Sequence, residues 1–181
     1  MAKLELAKIG NPVLRKKLEQ VDPGILSDRK FRKLLKDMAD TMRAAEGVGL
    51  AANQVGKDLA VAVIECKSNV RYPEEDTIPL EFYLNPVIID YSEEKINGWE
   101  GCLSIPGYRG LVARSASVTF EAVDSSGESV RRTVSGFWAR VLQHEVDHLN
   151  GLFYMDRMAD LQNWVHLDEF NKAFETRVHD E

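Results

Sequence analysis

The sequence predicts an α+β fold, a single compact domain in which antiparallel or mixed sheets surround a central helix and a further helix lies near the C-terminus. The length of 181 residues suits one domain, and no repeat or long linker divides residues 1–181. The strand-like segments do not alternate regularly with helices, and two of them are separated by a short turn. This order favours an α+β arrangement over a doubly wound sheet.

The first predicted element is a helix over residues 27–45. Its apolar residues recur at helical spacing, Ser27 can cap its N-terminus, and Gly47 can end it. The apolar run 59–65 has the length of a strand. Residues 82–91 form another strand, which Asn85-Pro86 interrupts, so an edge or bent strand is expected there rather than a central one.

The C-terminal half predicts a hairpin and two helices. Segments 117–123 and 128–134 are strand-like on either side of the turn residues 124–127. A helix is expected from Gly136 to Leu149, the central helix of the fold, with Asn150-Gly151 as its stop. Residues 160–178 have apolar side chains near helical spacing, which predicts a C-terminal helix.

Composition narrows the classes of function. The formal charge is −6, and the stretch 160–181 holds six acids against two bases, so DNA or another phosphate backbone is not an expected partner. No apolar run reaches the roughly 18 residues of a membrane span, and the N-terminus lacks the pattern of a secretory signal. We therefore expect no membrane partner and a cytoplasmic protein whose two cysteines are reduced.

The clearest chemical signal is QHEVDH at residues 143–148. On a helix, His144 and His148 project from one face one turn apart, so both rings can reach one metal ion. Glu145 is displaced by about 100° around the helix, which suits contact with a bound water rather than with the ion. Hydrolysis assisted by a metal needs this arrangement, because the ion acidifies its water and a carboxylate accepts the proton.

A catalytic metal site usually has three protein ligands, and the sequence offers two candidates for the third. Glu169 lies 21 residues after His148, a separation compatible with a zinc peptidase. Cys102 offers a thiolate in a segment whose glycines and proline suggest a turn. Cys66 ends an apolar strand and is expected to be a small buried hydrophobe.

The segment GVGLAA at residues 47–52 loosely matches a dinucleotide-binding pattern, but a helix precedes it where that pattern requires a strand. Its small residues instead favour a backbone that a ligand can approach closely, with Gln54 as a polar group beside it.

Three segments together resemble, in order and type, the motifs of the peptide deformylase family: GVGLAANQ at 47–54, EGCLS at 100–104 and QHEVDHLNG at 143–151. The resemblance extends over nearly the whole chain. It implies a metal-dependent hydrolase that removes the formyl group from N-formylmethionyl nascent polypeptides. It also implies Cys102, His144 and His148 as the ligands of one divalent ion.

The same resemblance implies roles for further residues. Glu145 would act as general base and then as general acid, while the Gln54 amide and the Leu103 backbone N–H would stabilise the oxyanion. Residues expected to bind the substrate are Val48, Phe137 and Val141 around the methionine side chain, Gly49 beside the peptide backbone, and Arg109 further along the peptide. A pair between Glu100 and Arg114 is also implied.

The resemblance leaves the metal and the partners less defined. It implies iron(II) in the cell, whereas a Cys and two His also suit zinc, nickel or cobalt. Some family members dock on the ribosome through a basic C-terminal helix, which this acidic tail does not match. Arg140 occupies a position that is apolar in many bacterial members; we expect its stem to pack against the pocket and its charge to face solvent.

Two other functions remain open on the residues alone. One is a zinc endopeptidase that uses His144, His148 and Glu169 as ligands, and it predicts indifference to loss of the Cys102 thiol. The other is a metal-stabilised binding module without catalysis, which predicts that Glu145 is dispensable and that chelation unfolds the protein.

Overall fold

The computed structural model describes residues 3–67 and 77–178, with side chains described as far as residue 173. Within these ranges the chain forms three α-helices and eight β-strands, connected by loops and short 3₁₀ helices. The helices are α1 (Arg29–Ala44), α2 (Gly136–Leu149) and α3 (Leu167–Val178). The strands are β1 (Gly49–Ala51), β2 (Val61–Cys66), β3 (Ile78–Tyr91), β4 (Lys95–Cys102), β5 (Ile105–Ser115), β6 (Ser117–Val123), β7 (Ser129–Ser135) and β8 (Trp164–His166).

The strands form two antiparallel sheets, which confirms the predicted α+β class. One sheet has the order β1-β2-β3-β6-β7 and the other the order β4-β5-β8. The predicted hairpin is the β6–β7 pair, and the predicted central helix is α2 with its expected bounds. None of the described helices combines the length and the apolar character needed to span a membrane.

The five-stranded sheet is covered on both faces. Because side chains alternate along a strand, Val61 and Val63 of β2 pack with helix α1, whereas Ile64 packs with helix α2. The other side of α2 faces the small sheet, where the Gln143 amide hydrogen-bonds the backbone of Ser115 in both directions. Helix α2 therefore lies between the two sheets and is nearly enclosed.

The start of α1 differs from the prediction by one residue. Asp28, not Ser27, is the N-cap: its carboxylate accepts a hydrogen bond from the Lys30 backbone N–H at 2.6 Å. Ser27 instead completes a preceding 3₁₀ helix, Pro23–Ser27, and its hydroxyl donates to the Gly24 carbonyl at 2.8 Å. The Ser27 hydroxyl therefore forms a local hydrogen bond within the 3₁₀ helix and does not cap α1.

Strand β3 is bent, as the sequence suggested, but it is central and not at an edge. Between Leu84 and Val87 its register with β6 shifts, and Asn85 adopts a φ of 53°. The Asn85 side chain bonds the Val21 backbone N–H and carbonyl, each at 2.8 Å. Pro86 lies within this irregularity, so a residue without an N–H is tolerated in a central strand.

The prediction of one helix over residues 160–178 was wrong in its first part. Residues Trp164–His166 form strand β8, and α3 begins only at Leu167. Trp164 is held in the sheet because its ring stacks on Tyr108 at 4.3 Å and its indole N–H donates to the Tyr154 hydroxyl at 3.0 Å. Contacts from distant residues have overridden a weak helical pattern.

Candidate metal centre and catalytic cavity

Two elements, helix α2 and strand β4, bring the predicted metal ligands together. Helix α2 places His144 and His148 one turn apart on one face, and Cys102 ends β4 at the tight turn into β5. One ligand atom from each of these residues lies within 4.8 Å of the other two, and the Cys102 Sγ is 3.2 Å from the His148 Nε2. A thiolate and two imidazoles at this spacing suit a divalent ion of borderline softness.

The electrostatics of the cluster favour a thiolate. Burial alone would raise the pKa of the Cys102 thiol, but the charge and hydrogen bonds of His148 and His144 hold that pKa well below its ordinary value. The deprotonated sulfur is the form that coordinates a metal. Of the two candidate third ligands, the structure therefore brings Cys102 to the histidines, whereas Glu169 is exposed on α3 and pairs with Lys172 at 2.7 Å.

Glu100 orients the first histidine. Its carboxylate lies 2.9 Å from His144 Nδ1, which leaves Nε2 for the cluster. The implied pair with Arg114 is confirmed, since the guanidinium donates two bonds to Glu100 at 2.9 and 3.0 Å. Arg114 also contacts Asp147, whose other partner is Arg157. A network of ion pairs thus extends from His144 to the surface.

Glu145 lies in the same cavity and is almost fully buried. Burial raises its pKa to about 7, with the two histidines acting in the opposite direction. A carboxyl group with this pKa can both accept and return a proton near neutral pH. Its Oε1 faces Gly49 so closely that a Cβ on that residue would lie 2.2 Å away. In this structure, Gly49 makes room for Glu145.

The amide of Gln54 has a fixed orientation. Its Oε1 accepts a hydrogen bond from the Ala51 backbone N–H at 2.9 Å. Its Nε2 therefore points to the ligand cluster and donates to Ser104 Oγ at 3.3 Å and Cys102 Sγ at 3.5 Å. Leu103 follows Cys102 in the turn, and its side chain packs against Gly47, where a Cβ would lie only 2.8 Å away. Both predicted oxyanion residues thus adjoin the thiol.

A cavity opens beside the ligand cluster, and most of the predicted site residues form its wall. Its lining includes Val48, Gly49, Gln54, Cys102, Leu103, Phe137, Val141, His144 and Glu145. His148 lies beneath the cavity floor and is fully buried. Of the apolar members, Val48 directly precedes β1 and Phe137 and Val141 come from the first half of α2, so this part of the wall is adjacent to the ligand candidates.

Arg109 is not part of this wall. Its neighbour in sequence, Gly110, faces Tyr154 and Met158, so the Arg109 side chain points to the opposite face of β5. There it is buried beside Gly101 and under the ring of Phe170 in α3, with 5.9 Å from Arg109 Cζ to the ring centroid. Contact with a peptide beyond the cavity stays a prediction.

Arg140 does line the cavity, but the expectation for its charge was wrong. Its guanidinium points inward and donates to Glu100 at 2.9 Å, Val112 O at 3.0 Å and Ile96 O at 2.6 Å. The acceptor groups of β4 and β5 lie within reach of the first turn of α2. The forked guanidinium forms charge-assisted hydrogen bonds with these acceptors, which replace its hydrogen bonds to water.

Several residues of the site were missed from the sequence. Ser104 and Asn53 lie inside the quoted motifs, and Asn53 donates to the His148 carbonyl at 2.7 Å while fully buried. Asp147 lies between the two histidines, where an acid on a buried helix face signals an ion pair. Trp99 lines the rim of the cavity, and no motif pointed to it.

Known proteins resemble this chain in sequence. A family model described as polypeptide deformylase matches residues 3–164. A peptide deformylase 1 of Nitrosomonas europaea is 44% identical over 161 residues, 89% of this chain and 90% of the relative. One of Prochlorococcus marinus is 41% identical over 96% of this chain and 90% of its own.

Solved structures agree with the sequence relatives. A class I type b peptide deformylase from Acinetobacter baumannii, with Met-Ala-Ser bound, superimposes with a TM-score of 0.84. The two proteins are 36% identical over 87% of this chain and 99% of the other. The segment 3–164, which the family model matches, includes all three metal-ligand candidates and Glu145. The chain belongs to the polypeptide deformylase family.

Proposed function

We propose that this protein removes the formyl group from the N-terminus of formylmethionyl peptides and releases formate. The observation that carries the proposal is the convergence of Cys102, His144 and His148 on one point, with the Glu145 carboxyl in the adjoining cavity. Family membership supports the reaction, and the Acinetobacter baumannii relative was solved with the peptide Met-Ala-Ser. That peptide is what remains when formyl-Met-Ala-Ser loses its formyl group.

The cofactor is one divalent ion held by Cys102, His144 and His148. When bound, such an ion supplies a water of lowered pKa and a positive charge beside the carbonyl under attack. We propose iron(II) in the cell, although the affinity order favours zinc over iron for these ligands. A thiolate beside a redox-active ion would make the enzyme sensitive to oxygen, so purified samples can carry zinc, nickel or cobalt.

Glu145 is proposed to move the protons of the reaction. As a carboxylate it accepts a proton from the attacking water, and as a carboxylic acid it delivers one to the leaving amine nitrogen. Its buried position, with a pKa near 7, supports both steps because neither form is strongly favoured. Gly49 maintains this role by leaving space for the carboxyl group.

Gln54 and Leu103 are proposed to stabilise the negative charge that grows on the formyl oxygen. The Gln54 Nε2 already points to the cluster because Ala51 fixes the other end of the amide. The Leu103 backbone N–H follows the thiolate ligand directly in the turn. Donors placed before the reaction begins cost no reorganisation, and each is typically worth about 3 kcal/mol in comparable sites.

The substrate is proposed to place its methionine side chain against Val48, Phe137 and Val141. These side chains give the cavity an apolar wall next to the ligands, which suits a flexible thioether chain. We also propose that the peptide backbone of the substrate runs beside Gly49, because β1 is an edge strand of its sheet. Arg109 is a candidate only for residues beyond the cavity.

Formylated nascent chains originate on ribosomes, so we propose that the protein works in the cytoplasm and meets its substrate near the ribosome. Its acidic C-terminal stretch does not support docking on RNA through that segment. A transient contact through another surface is compatible with the proposal.

The test is release of formate from formyl-Met-Ala-Ser by protein purified without oxygen. Acetyl-Met-Ala-Ser is the matched substrate, since it differs by one methyl group on the carbonyl that is attacked. We expect rapid release of formate and little release of acetate, because an acetyl carbonyl is less electrophilic and more hindered than a formyl carbonyl. Absence of formate release from a protein with full metal occupancy would refute the proposal.

A further inference from the structure

We propose that Arg140 is a positioning residue of the metal centre, which determines how firmly the chain holds its divalent ion. The inference rests on the metal-dependent function proposed above. It extends that function to a residue outside the ligand set and the proton-transfer group. Arg140 lies in α2 one turn before His144, and only 13% of its side chain is exposed.

The first argument is the hydrogen bonding of Glu100, the group that orients His144. Each oxygen of this carboxylate has two donors. Oε2 faces His144 Nδ1 at 2.9 Å and one Arg114 nitrogen at 3.0 Å. Oε1 accepts from the other Arg114 nitrogen and from Arg140, both at 2.9 Å. Removal of Arg140 leaves Oε1 with a single donor, so Arg114 alone restrains the carboxylate that orients the histidine.

The second argument is a connection between the elements that carry the ligands. The Arg140 guanidinium reaches the carbonyls of Ile96 in β4 and Val112 in β5. Cys102 ends β4, whereas both histidines are on α2 with Arg140 itself. One planar cation thus ties the strand that bears the sulfur to the helix that bears the imidazoles, and it helps to set the distance between them.

The third argument is the space reserved for this guanidinium. Gly98 of β4 lies against it, and a Cβ on Gly98 would be 2.6 Å from Arg140 Cζ. No positive φ is recorded for Gly98, so its backbone conformation is open to alanine. Substitution of Gly98 would therefore displace the guanidinium without removing it, which gives an independent way to disturb the same contact.

The test measures loss of metal and not catalysis. Protein loaded with cobalt(II) without oxygen is mixed with excess EDTA, and the decay of the thiolate-to-cobalt absorption gives the rate of release. We expect Arg140→Met, which keeps most of the stem but no donor, to release the ion about 10-fold faster than wild type, the lower end of the effect typical for loss of a ligand's own partner, because Arg140 acts through Glu100.

Two variants define what the arginine contributes. Arg140→Lys retains the charge but lacks the planar fork, so we expect a rate between those of wild type and Arg140→Met. Arg131→Met is the matched control, because Arg131 is an exposed arginine on β7 and makes one weak pair with Glu121. Its cobalt release should equal that of wild type.

Gly98→Ala completes the test and remains informative if Arg140→Met folds poorly. We expect Gly98→Ala to accelerate release as well. The double variant with Arg140→Met should release cobalt no faster than Arg140→Met alone, since the new methyl group then has nothing to displace. Wild-type release rates in both single variants, or additive effects in the double variant, would overturn the proposal.

Failure of this proposal is distinguishable from failure of the proposed function. Cobalt release needs no substrate, so a dependence on Arg140 would stand even in a protein that released no formate. Conversely, if Arg140→Met raised the KM for formyl-Met-Ala-Ser and left cobalt release unchanged, Arg140 would be a wall of the peptide site. That result would overturn the positioning role while deformylation remained established.

Discussion

At the scale of single residues, the site depends on the neighbours that make room for or orient the reactive groups as much as on those groups themselves. Glu145 can occupy the cavity because residue 49 has no side chain, and Gln54 presents its Nε2 because Ala51 holds its Oε1. Neither relation is visible in the sequence motifs, which identify the reactive residues but not what makes room for them or orients them. Two predictions follow from these contacts.

Gly49→Ala should displace the Glu145 carboxyl group and lower kcat by at least about 100-fold, while the metal is retained. The new Cβ would lie 2.2 Å from Oε1, so the carboxyl must leave its present position. Formate release and metal content measured on the same sample check this. Gly24→Ala, on a surface 3₁₀ helix, is the control. Turnover at the wild-type rate in Gly49→Ala would show that Glu145 need not occupy its present position.

Gln54→Ala should lower kcat by about 10²–10³, the usual cost of one oxyanion donor, with a smaller change in KM. The reason is that this donor acts mainly when charge has developed on the substrate oxygen. Steady-state kinetics with formyl-Met-Ala-Ser provide the measurement, and Gln162→Ala serves as an exposed glutamine control. An effect confined to KM would assign Gln54 to ground-state binding instead.

At the scale of elements, the sequence predicted the bounds of α2 and the β6–β7 hairpin because each has a local signal at both ends. It predicted less well where the decisive contact is distant. Strand β3 contains a proline yet is central, because a bulge and the Asn85 side chain accommodate it. Strand β8 was taken for helix, because only its pairing with β5 makes it a strand.

The N-terminus of α1 allows a direct comparison between two neighbouring caps. Asp28→Ala should lower the free energy of unfolding by about 1 kcal/mol, since the Lys30 N–H loses its acceptor. Ser27→Ala should cost less than about 0.5 kcal/mol, because that hydroxyl is exposed and caps no helix. Urea unfolding of the two variants and of wild type measures both losses in the free energy of unfolding. Equal losses, or a larger loss for Ser27→Ala, would contradict the assignment of the cap.

At the scale of the whole molecule, most of the described apolar core is independent of the metal centre. Two clusters occupy the two faces of the five-stranded sheet, and neither contains a metal-ligand candidate, whereas the smaller cluster around Ile105 and Phe153 contains Cys102. The family motifs predicted which side chains the structure would bring together, since each motif is a short segment that carries its own reactive residues. The inward Arg140 and the placement of Arg109 could not be predicted, because the first depends on the β4 and β5 carbonyls beside α2 and the second on which face of β5 is covered.

Removal of the ion should therefore destabilise the protein without unfolding it. With the ion at 100 times its Kd, binding adds about 2.7 kcal/mol to the free energy of unfolding, and EDTA should remove that amount. Far-ultraviolet circular dichroism should remain that of a folded α+β protein after chelation, and thermal unfolding should occur at a lower Tm. Loss of secondary structure on chelation at 25 °C would show that the metal is needed for the fold.

The central claim is that Cys102 and Glu145 act together with the two histidines to hydrolyse the formyl group. The most direct measurement is formate release from formyl-Met-Ala-Ser by wild type, Cys102→Ser and Glu145→Ala, with metal content measured in each. We expect rapid release by wild type, weak metal retention and little activity in Cys102→Ser, and full metal occupancy with a loss beyond about 10³-fold in Glu145→Ala. Wild-type turnover in metal-loaded Glu145→Ala would contradict the account.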